Sequence, residues 1–388
     1  MSDPMRIGYI DNLSHPDKLV LREGYEAPIE RYMAALGGNN GNLAFVTGAR
    51  KSIDAPMTRI GWGWTPDRVR NVADVIVVSC ANQIGAHADL GSWADAIVAF
   101  DLPVVLLSLG AQTTNYEGEV EIPEGTRRFL TEVDARRPGE GSNIGVRGEF
   151  TRQALAQVGI DSVVLGCPSL FISGESSLGA TIVRRAAENT FDAIAVAAGN
   201  PYHPENRKIE ARMVRLVDAY KGAYVVQHPN GIVDLALGNE QPADKLKAIA
   251  DGLGFASGRE CARWFDKHAY SFHETQTWMH FLRHYDAVIG PRYHGVALGV
   301  QVGIPGVVLH IDNRTRELAE TTGIPTVGIA ELEDRDLAEI VLTARWTEEM
   351  GAAFDANRRR RAEDTAAFLE SNKVGVSAQL RAIAGAAA

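Results

Sequence analysis

Long apolar runs are missing from this 388-residue chain, and no stretch approaches the roughly 20 uninterrupted apolar residues that a membrane span requires. The opening MSDPMRIGYI has no basic segment followed by an apolar one, so a secretory leader is not expected and a cytoplasmic protein is. Cysteine is scarce. Cys80, Cys167 and Cys261 are odd in number and far apart, which argues against a disulfide framework or a zinc knuckle and leaves buried thiols as the expectation. Basic charge is also short: 39 Lys and Arg against 49 Asp and Glu give a net charge of -10, unsuited to a nucleic-acid surface. The charge of any anionic ligand must therefore be met locally. P-loop, GxGxxG, HExxH and GxSxG patterns are all absent, as are low-complexity tracts and short repeats.

What is present is a recurring alternation of apolar strands and helical patterns. Arg6 to Ile10, Leu43 to Thr47, Asp74 to Ser79, Pro103 to Leu109, Asn143 to Val146 and Ser162 to Leu165 read as strands of one parallel sheet. A second series follows: Ala193 to Ala197, Ala223 to Gln227, Ala287 to Gly290, Gly306 to Leu309 and Thr326 to Ile329. The polar SGESSLG stretch, Ser173 to Gly179, separates them. The fold class is thus α/β, with two Rossmann-like domains over residues 1–175 and 180–345 and a cleft between them. Residues 346–388 read as helices packing back on the fold. Within them the run Arg358–Arg361 sits in an amphipathic helix, whose solvated face is also the one place for peripheral contact with an anionic membrane. Self-association is left open.

The most informative stretch is YDAVIGPRYHGVALGVQVGIPGVVL, residues 285–309, a strand, a Gly-Pro turn, a helix from Tyr293 to Val302 and a second strand. Ligands of open α/β sheets lie beyond the carboxyl ends of the strands, where a helix start adds free N–H groups. Arg292 and His294 stand at such an end and imply an anionic ligand. In the first series Arg147 stands in the same position, after Ile144–Val146 and before a helix from Glu149 to Val158, so cations from two domains can converge on one anion. Asn82, Ser108, Gly110 and Gln112 follow strand ends and read as polar contacts along the first domain's cleft edge. In GGNNGN, Asn39, Asn40 and Asn42 suit hydrogen bonds to sugar hydroxyls or a phosphate, and a helix-terminating turn explains the same residues equally well. His273, His280 and His284 fall on a stretch read as helical, SFHETQTWMHFLRHY, with the last two four residues apart. No third ligand is near, and Trp278, Phe281 and Leu282 interleave as core residues would, so no metal is expected. His273 and Glu274 are expected to border the cleft.

These motifs resemble the polysaccharide pyruvyl transferase family. NIGVRGEFTRQAL with VVLGCPSLFI, then DAVIGPRYHGVALGVQVGIPGVVL and DNRTREL, carry the resemblance, with NNGN in place early on; it spans about residues 35 to 325. It implies a glycosyltransferase-B-like arrangement of the two domains and transfer of a pyruvyl group from phosphoenolpyruvate to two sugar hydroxyls. The product would be a cyclic ketal and phosphate, with no cofactor. By resemblance Arg147 and His294 hold the donor's phosphate, Gly295 completes the motif, and Arg292 lies beside them toward the carboxylate. His294, whose pKa is readily moved across neutrality, is the expected general acid as well. The acceptor, a sugar, oligosaccharide or lipid-linked saccharide, would meet Asn39, Asn40, Asn42, Asn82 and Gln112. Two stretches depart from the family pattern. Asn42 stands where an Asp often follows Asn-Gly, and SCANQIG replaces a glycine-rich turn, so the acceptor itself stays undefined. Two other readings compete: a nucleotide-sugar glycosyltransferase, for which Glu317 and Glu320 are the candidate ribose ligands, and a non-catalytic sugar-binding protein.

Overall fold

The computed structural model describes residues 5–24, 27–113 and 120–385. Twelve strands are found among them: β1 (Ile7–Ile10), β2 (Met57–Arg59), β3 (Val75–Ser79), β4 (Val104–Leu109), β5 (Ile144–Val146), β6 (Val163–Val164), β7 (Ile194–Ala197), β8 (Ala223–Val225), β9 (Ala269–Tyr270), β10 (Ala287–Gly290), β11 (Gly306–His310) and β12 (Thr326–Gly328). They form two six-stranded sheets, ordered β2-β1-β3-β4-β5-β6 and β12-β11-β10-β7-β8-β9. Every pairing between these strands is parallel. The reason lies in sequences such as VIVVS and VVLLSL, buried at every position because helices cover both faces. The two Rossmann-like units expected from the sequence are therefore both present. In the second, strand order reverses between β7 and β10, so the chain leaving β10 emerges at the switch point where such sheets bind ligands.

One expected strand is a helix. Leu43 to Thr47 lies inside the Asn42–Ser52 helix. Ala44, Phe45, Val46 and Ala49 are all at most 1% exposed, so the segment is apolar nearly all round and shows no helical period. It packs on the Pro168–Phe171 turn closely enough that a Cβ on Gly48 would sit 2.0 Å from the Pro168 carbonyl oxygen. β2 and β9 were not expected; both are short edge strands. The helix around Trp278 is also shorter than its sequence suggests: it runs Thr275–Leu282, capped by Glu274, and leaves His273 and His284 outside.

The apolar core is continuous across the two halves, running from Ile7 and Tyr9 through Phe45, Leu165 and Phe171 to Ile194 and Val288. A second core covers the other face of the first sheet. The Glu348–Ser371 helix ties the halves together. Asp355 accepts from the Gly179 and Ala180 amides, while Arg358 donates to the carbonyls of Leu170 (2.9 Å), Ser173 (2.6 Å) and Glu175. Arg361 donates to the Val164 carbonyl at 2.7 Å. Two of the four consecutive arginines are thus buried structural groups, and Arg359 and Arg360 alone of the run face outward. Only those two of the four are therefore available to any partner outside the fold. No helix among the described residues is long and apolar enough to cross a membrane.

Candidate active site

Arg147 leaves β5 and turns inward. Its side chain is almost wholly buried, 3% exposed, yet among the described residues no carboxylate accepts a hydrogen bond from it. Nε donates to the Ser108 carbonyl (2.9 Å), Nη1 to Asn82 Oδ1 (2.6 Å) and Nη2 to the Cys80 carbonyl (3.3 Å). All three acceptors lie at the carboxyl ends of β3 and β4, and all are neutral. Ser108 holds a left-handed φ of 63° there, and its hydroxyl donates to the Gly166 carbonyl at 2.9 Å. Gly110 must lack a side chain, because a Cβ would lie 2.4 Å from Asn82 Oδ1 and 2.7 Å from Arg147 Cδ. Burial weakens the guanidinium's hold on its proton, but arginine's basicity leaves it charged. A buried guanidinium whose direct acceptors are all neutral, with the Glu317 carboxylate acting on it only at longer range, is suited to holding an anion.

His294 faces the same spot. Its ring lies 5.6 Å from Phe45, over which the Arg147 guanidinium is placed at 5.7 Å, and its Nε2 is 3.6 Å from Cys167 Sγ. Burial, then the charge of Arg147, pushes the imidazole down to about 3, so it is neutral near pH 7. Burial raises the Cys167 thiol despite Arg147, which keeps it protonated.

Arg292, two residues earlier, points into an adjoining cluster. Its Nη2 lies 3.4 Å from His228 Nδ1, and its buried Nε has no hydrogen-bond partner among the described residues. His228 is pushed down to about 4 by burial and by Arg292, Arg314 and His203. Arg314 binds Asp312 and reaches across to Gln112 Oε1 of the first half at 3.0 Å. Below Arg292 lies Glu210, fully buried, accepting from Tyr224 at 2.5 Å; burial pushes its carboxyl up to about 7. The arrangement is therefore two neighbouring cationic pockets, Arg147 with His294 and Arg292 with Arg314 and His228, rather than one ring of three residues.

The remaining sequence candidates divide by what their polar atoms already hold. Asn40 donates to Ser271 Oγ (2.8 Å) and the Phe272 carbonyl (2.6 Å), while Asn42 donates to the Leu36 and Gly37 carbonyls. Both amide nitrogens are thus engaged in holding the fold, while Asn40 Oδ1 is buried with no hydrogen-bond partner among the described residues. Asn39 is half-buried and accepts from the Gly41 amide, Asn82 supports Arg147, and Gln112 accepts from Arg314. Gly295 packs under Gln227. Glu317 accepts from the Thr151 amide (2.8 Å) and hydroxyl (3.0 Å), and Glu320 pairs with Arg316 at 2.7 Å. Neither is free to hold a ribose. Among the described residues no group of three or more His, Cys, Asp or Glu could hold a metal ion. Phe45, Cys167, Glu210, Gln227, His228 and Arg314 were not singled out from the sequence. Gln227 and His228 leave a strand end just as Arg147 does, so the same reasoning would have found them; the others depend on tertiary neighbours.

Fold and site together define a two-sheet α/β protein with buried cationic side chains gathered where its strands end. The chain belongs to the polysaccharide pyruvyl transferase family, whose model matches residues 6–313. No curated protein matches the sequence. Similar solved structures include Alr3699/HepE of Anabaena in complex with UDP and glucose, with 11% identity over 94% of this chain and 100% of that one and a TM-score of 0.47. S. aureus MnaA with UDP is 12% identical over 96% and 99%, with a TM-score of 0.44. UDP-GlcNAc 2-epimerase of Methanocaldococcus jannaschii, in complex with UDP-GlcNAc and UDP, is 12% identical over 92% and 99%, with a TM-score of 0.41.

Proposed function

We propose that this protein transfers the pyruvyl group of phosphoenolpyruvate to two hydroxyls of a sugar acceptor, forming a cyclic ketal and releasing phosphate. The observation that carries this reading is the buried guanidinium of Arg147 beside His294, whose direct acceptors are all neutral, with a second cationic pocket at Arg292. Phosphoenolpyruvate carries a phosphate and a carboxylate on the same carbon and so asks for two neighbouring cationic pockets. In the proposed reaction C3 of the donor takes a proton, which makes C2 electrophilic. One acceptor hydroxyl adds to C2, the bond from C2 to the phosphate oxygen breaks, and the second hydroxyl closes the ring. Of the two hydroxyl protons lost, one balances the new methyl group and the other leaves with phosphate. Arg147 and His294 hold the phosphate, Arg292 the carboxylate, and Gly295 keeps the helix start open. Asn39, Asn82 and Gln112 border the acceptor side. His294 is neutral in the free protein, so its role as the acid for C3 depends on the arriving dianion to raise its pKa.

Thermal-shift titration tests the donor. A ligand bound only by the folded state at a hundredfold excess over Kd stabilises by about 2.7 kcal/mol. Phosphoenolpyruvate should raise Tm and a panel of nucleotide sugars should not; the reverse pattern would reject this reading in favour of a nucleotide-sugar transferase. Phosphate release that depends on added saccharide would then identify the acceptor.

A further inference from the structure

Gln227 occupies a position that neither the sequence motifs nor the reaction scheme above uses. It lies just beyond the end of β8, is 1% exposed, and its Nε2 is buried with no hydrogen-bond partner among the described residues. An unpaired buried amide donor is unfavourable by about 1 to 3 kcal/mol unless something outside the protein accepts from it. Its surroundings say where that acceptor would lie. A Cβ on Gly295 would fall 2.7 Å from Gln227 Nε2, and a Cβ on Gly41 would fall 2.6 Å from Gln227 Oε1 and 3.1 Å from His294 Cβ. The amide is thus held between two glycines, one from each half of the molecule. It lies over the first turn of the Tyr293–Gln301 helix, whose start no side chain caps. Its backbone is fixed as well, since the Gln227 carbonyl accepts from the Asn40 amide at 3.2 Å.

We propose that Gln227 is a ligand-binding residue of the donor site, donating its side-chain N–H to an anionic oxygen of the co-substrate seated at this helix start. The inference rests on the donor reading above for the identity of that co-substrate, a small molecule bearing phosphate and carboxylate. With Arg147 and Arg292 it completes a set in which charge comes from two guanidiniums and direction from one neutral amide. Such an amide can be aligned without adding a further desolvated charge to a buried site.

Two substitutions separate donor chemistry from packing. Gln227→Met fills the same slot without an N–H, and Gln227→Glu puts an acceptor and a negative charge there. Binding of phosphoenolpyruvate and, separately, of inorganic phosphate is measured by titration calorimetry on folded full-length protein, with Tm and circular dichroism as controls. Loss of a hydrogen bond to a charged ligand should weaken phosphoenolpyruvate about tenfold in Gln227→Met, and Gln227→Glu should weaken it a hundredfold or more. Binding within twofold of wild type in Gln227→Met would overturn the proposal while leaving the donor reading intact. Wild-type protein that ignores phosphoenolpyruvate but binds phosphate, with that binding lost in both variants, would reject the donor and keep Gln227 in the site. Failure of wild type to bind either anion would reject both.

Discussion

Donor binding should draw a proton into the protein. In the free site His294 is held down to about 3 by burial and Arg147, so at pH 7.5 its imidazole is neutral. Bringing its pKa to 7.5, where it is half charged, requires a shift of about 4.5 units, or ~6 kcal/mol at 1.36 kcal/mol per unit. A phosphate dianion about 4 Å away, at an effective dielectric constant near 20, supplies about 8 kcal/mol. The margin is small but favourable, and the donor's phosphate is already mostly dianionic at this pH. The assay is calorimetric titration of phosphoenolpyruvate in buffers of different ionisation enthalpy, where the slope of apparent enthalpy gives protons taken up per donor bound. Wild type should take up more than half a proton and His294→Gln close to none. Equal and negligible uptake in both proteins would refute the reasoning, leaving His294 as a neutral hydrogen-bond donor and the acid for C3 to be sought elsewhere.

Other consequences follow from single contacts. Arg147→Met should raise the donor KM about tenfold to a hundredfold, since a charged partner is lost; an unchanged KM would remove Arg147 from the donor site. Glu210 should make the protein less stable as pH rises. Its carboxyl is pushed up to about 7 in the folded state from an ordinary 4.5, so the folded state binds more protons between those values. Below the window both states are protonated, and above it the folded state must carry a buried carboxylate, a difference of about 3 kcal/mol. Glu210→Gln should flatten that slope in urea denaturation measured from pH 5 to pH 8. Gly48→Ala should destabilise by about 3 kcal/mol, since its Cβ would meet the Pro168 backbone, which no rotamer change relieves; a wild-type Tm would contradict the packing described.

Much of this architecture is written in local patterns. Buried parallel strands such as Val75–Ser79 and Ile194–Ala197 are short apolar runs between turn residues, and the helix starts after β5 and β10 follow Arg147 and the Gly-Pro turn directly. The Asn42–Ser52 helix was misread because burial on all sides erases the polar stripe that distinguishes a helix from a strand. The asparagines of the preceding loop were legible as hydrogen-bonding groups but not as to partner: Asn40 meets Phe272 across 232 residues. Arg292 and His294 were found by their place at a strand end. Their separation into two pockets depends on His228, Arg314 and Phe45, which no spacing rule brings together. The buried arginines of the last long helix look like a solvated charge run until the carbonyls they meet are known.

Glu317 gives the two halves a mechanical relation. The helix that begins two residues after Arg147 has no cap of its own: Gly148 occupies the N-cap, and the acceptor for the Thr151 amide is a carboxylate carried by the other half. Separating the halves would strip that helix of its cap, a loss of about 1 kcal/mol, and hand Thr151 and Glu317 to water. Interdomain closure and the seating of the Glu149–Ala156 helix are consequently coupled. Arg147 keeps its Ser108, Asn82 and Cys80 acceptors within the first half, so an isolated amino-terminal half would lose the capped helix start behind the guanidinium and not the guanidinium's own hydrogen bonds.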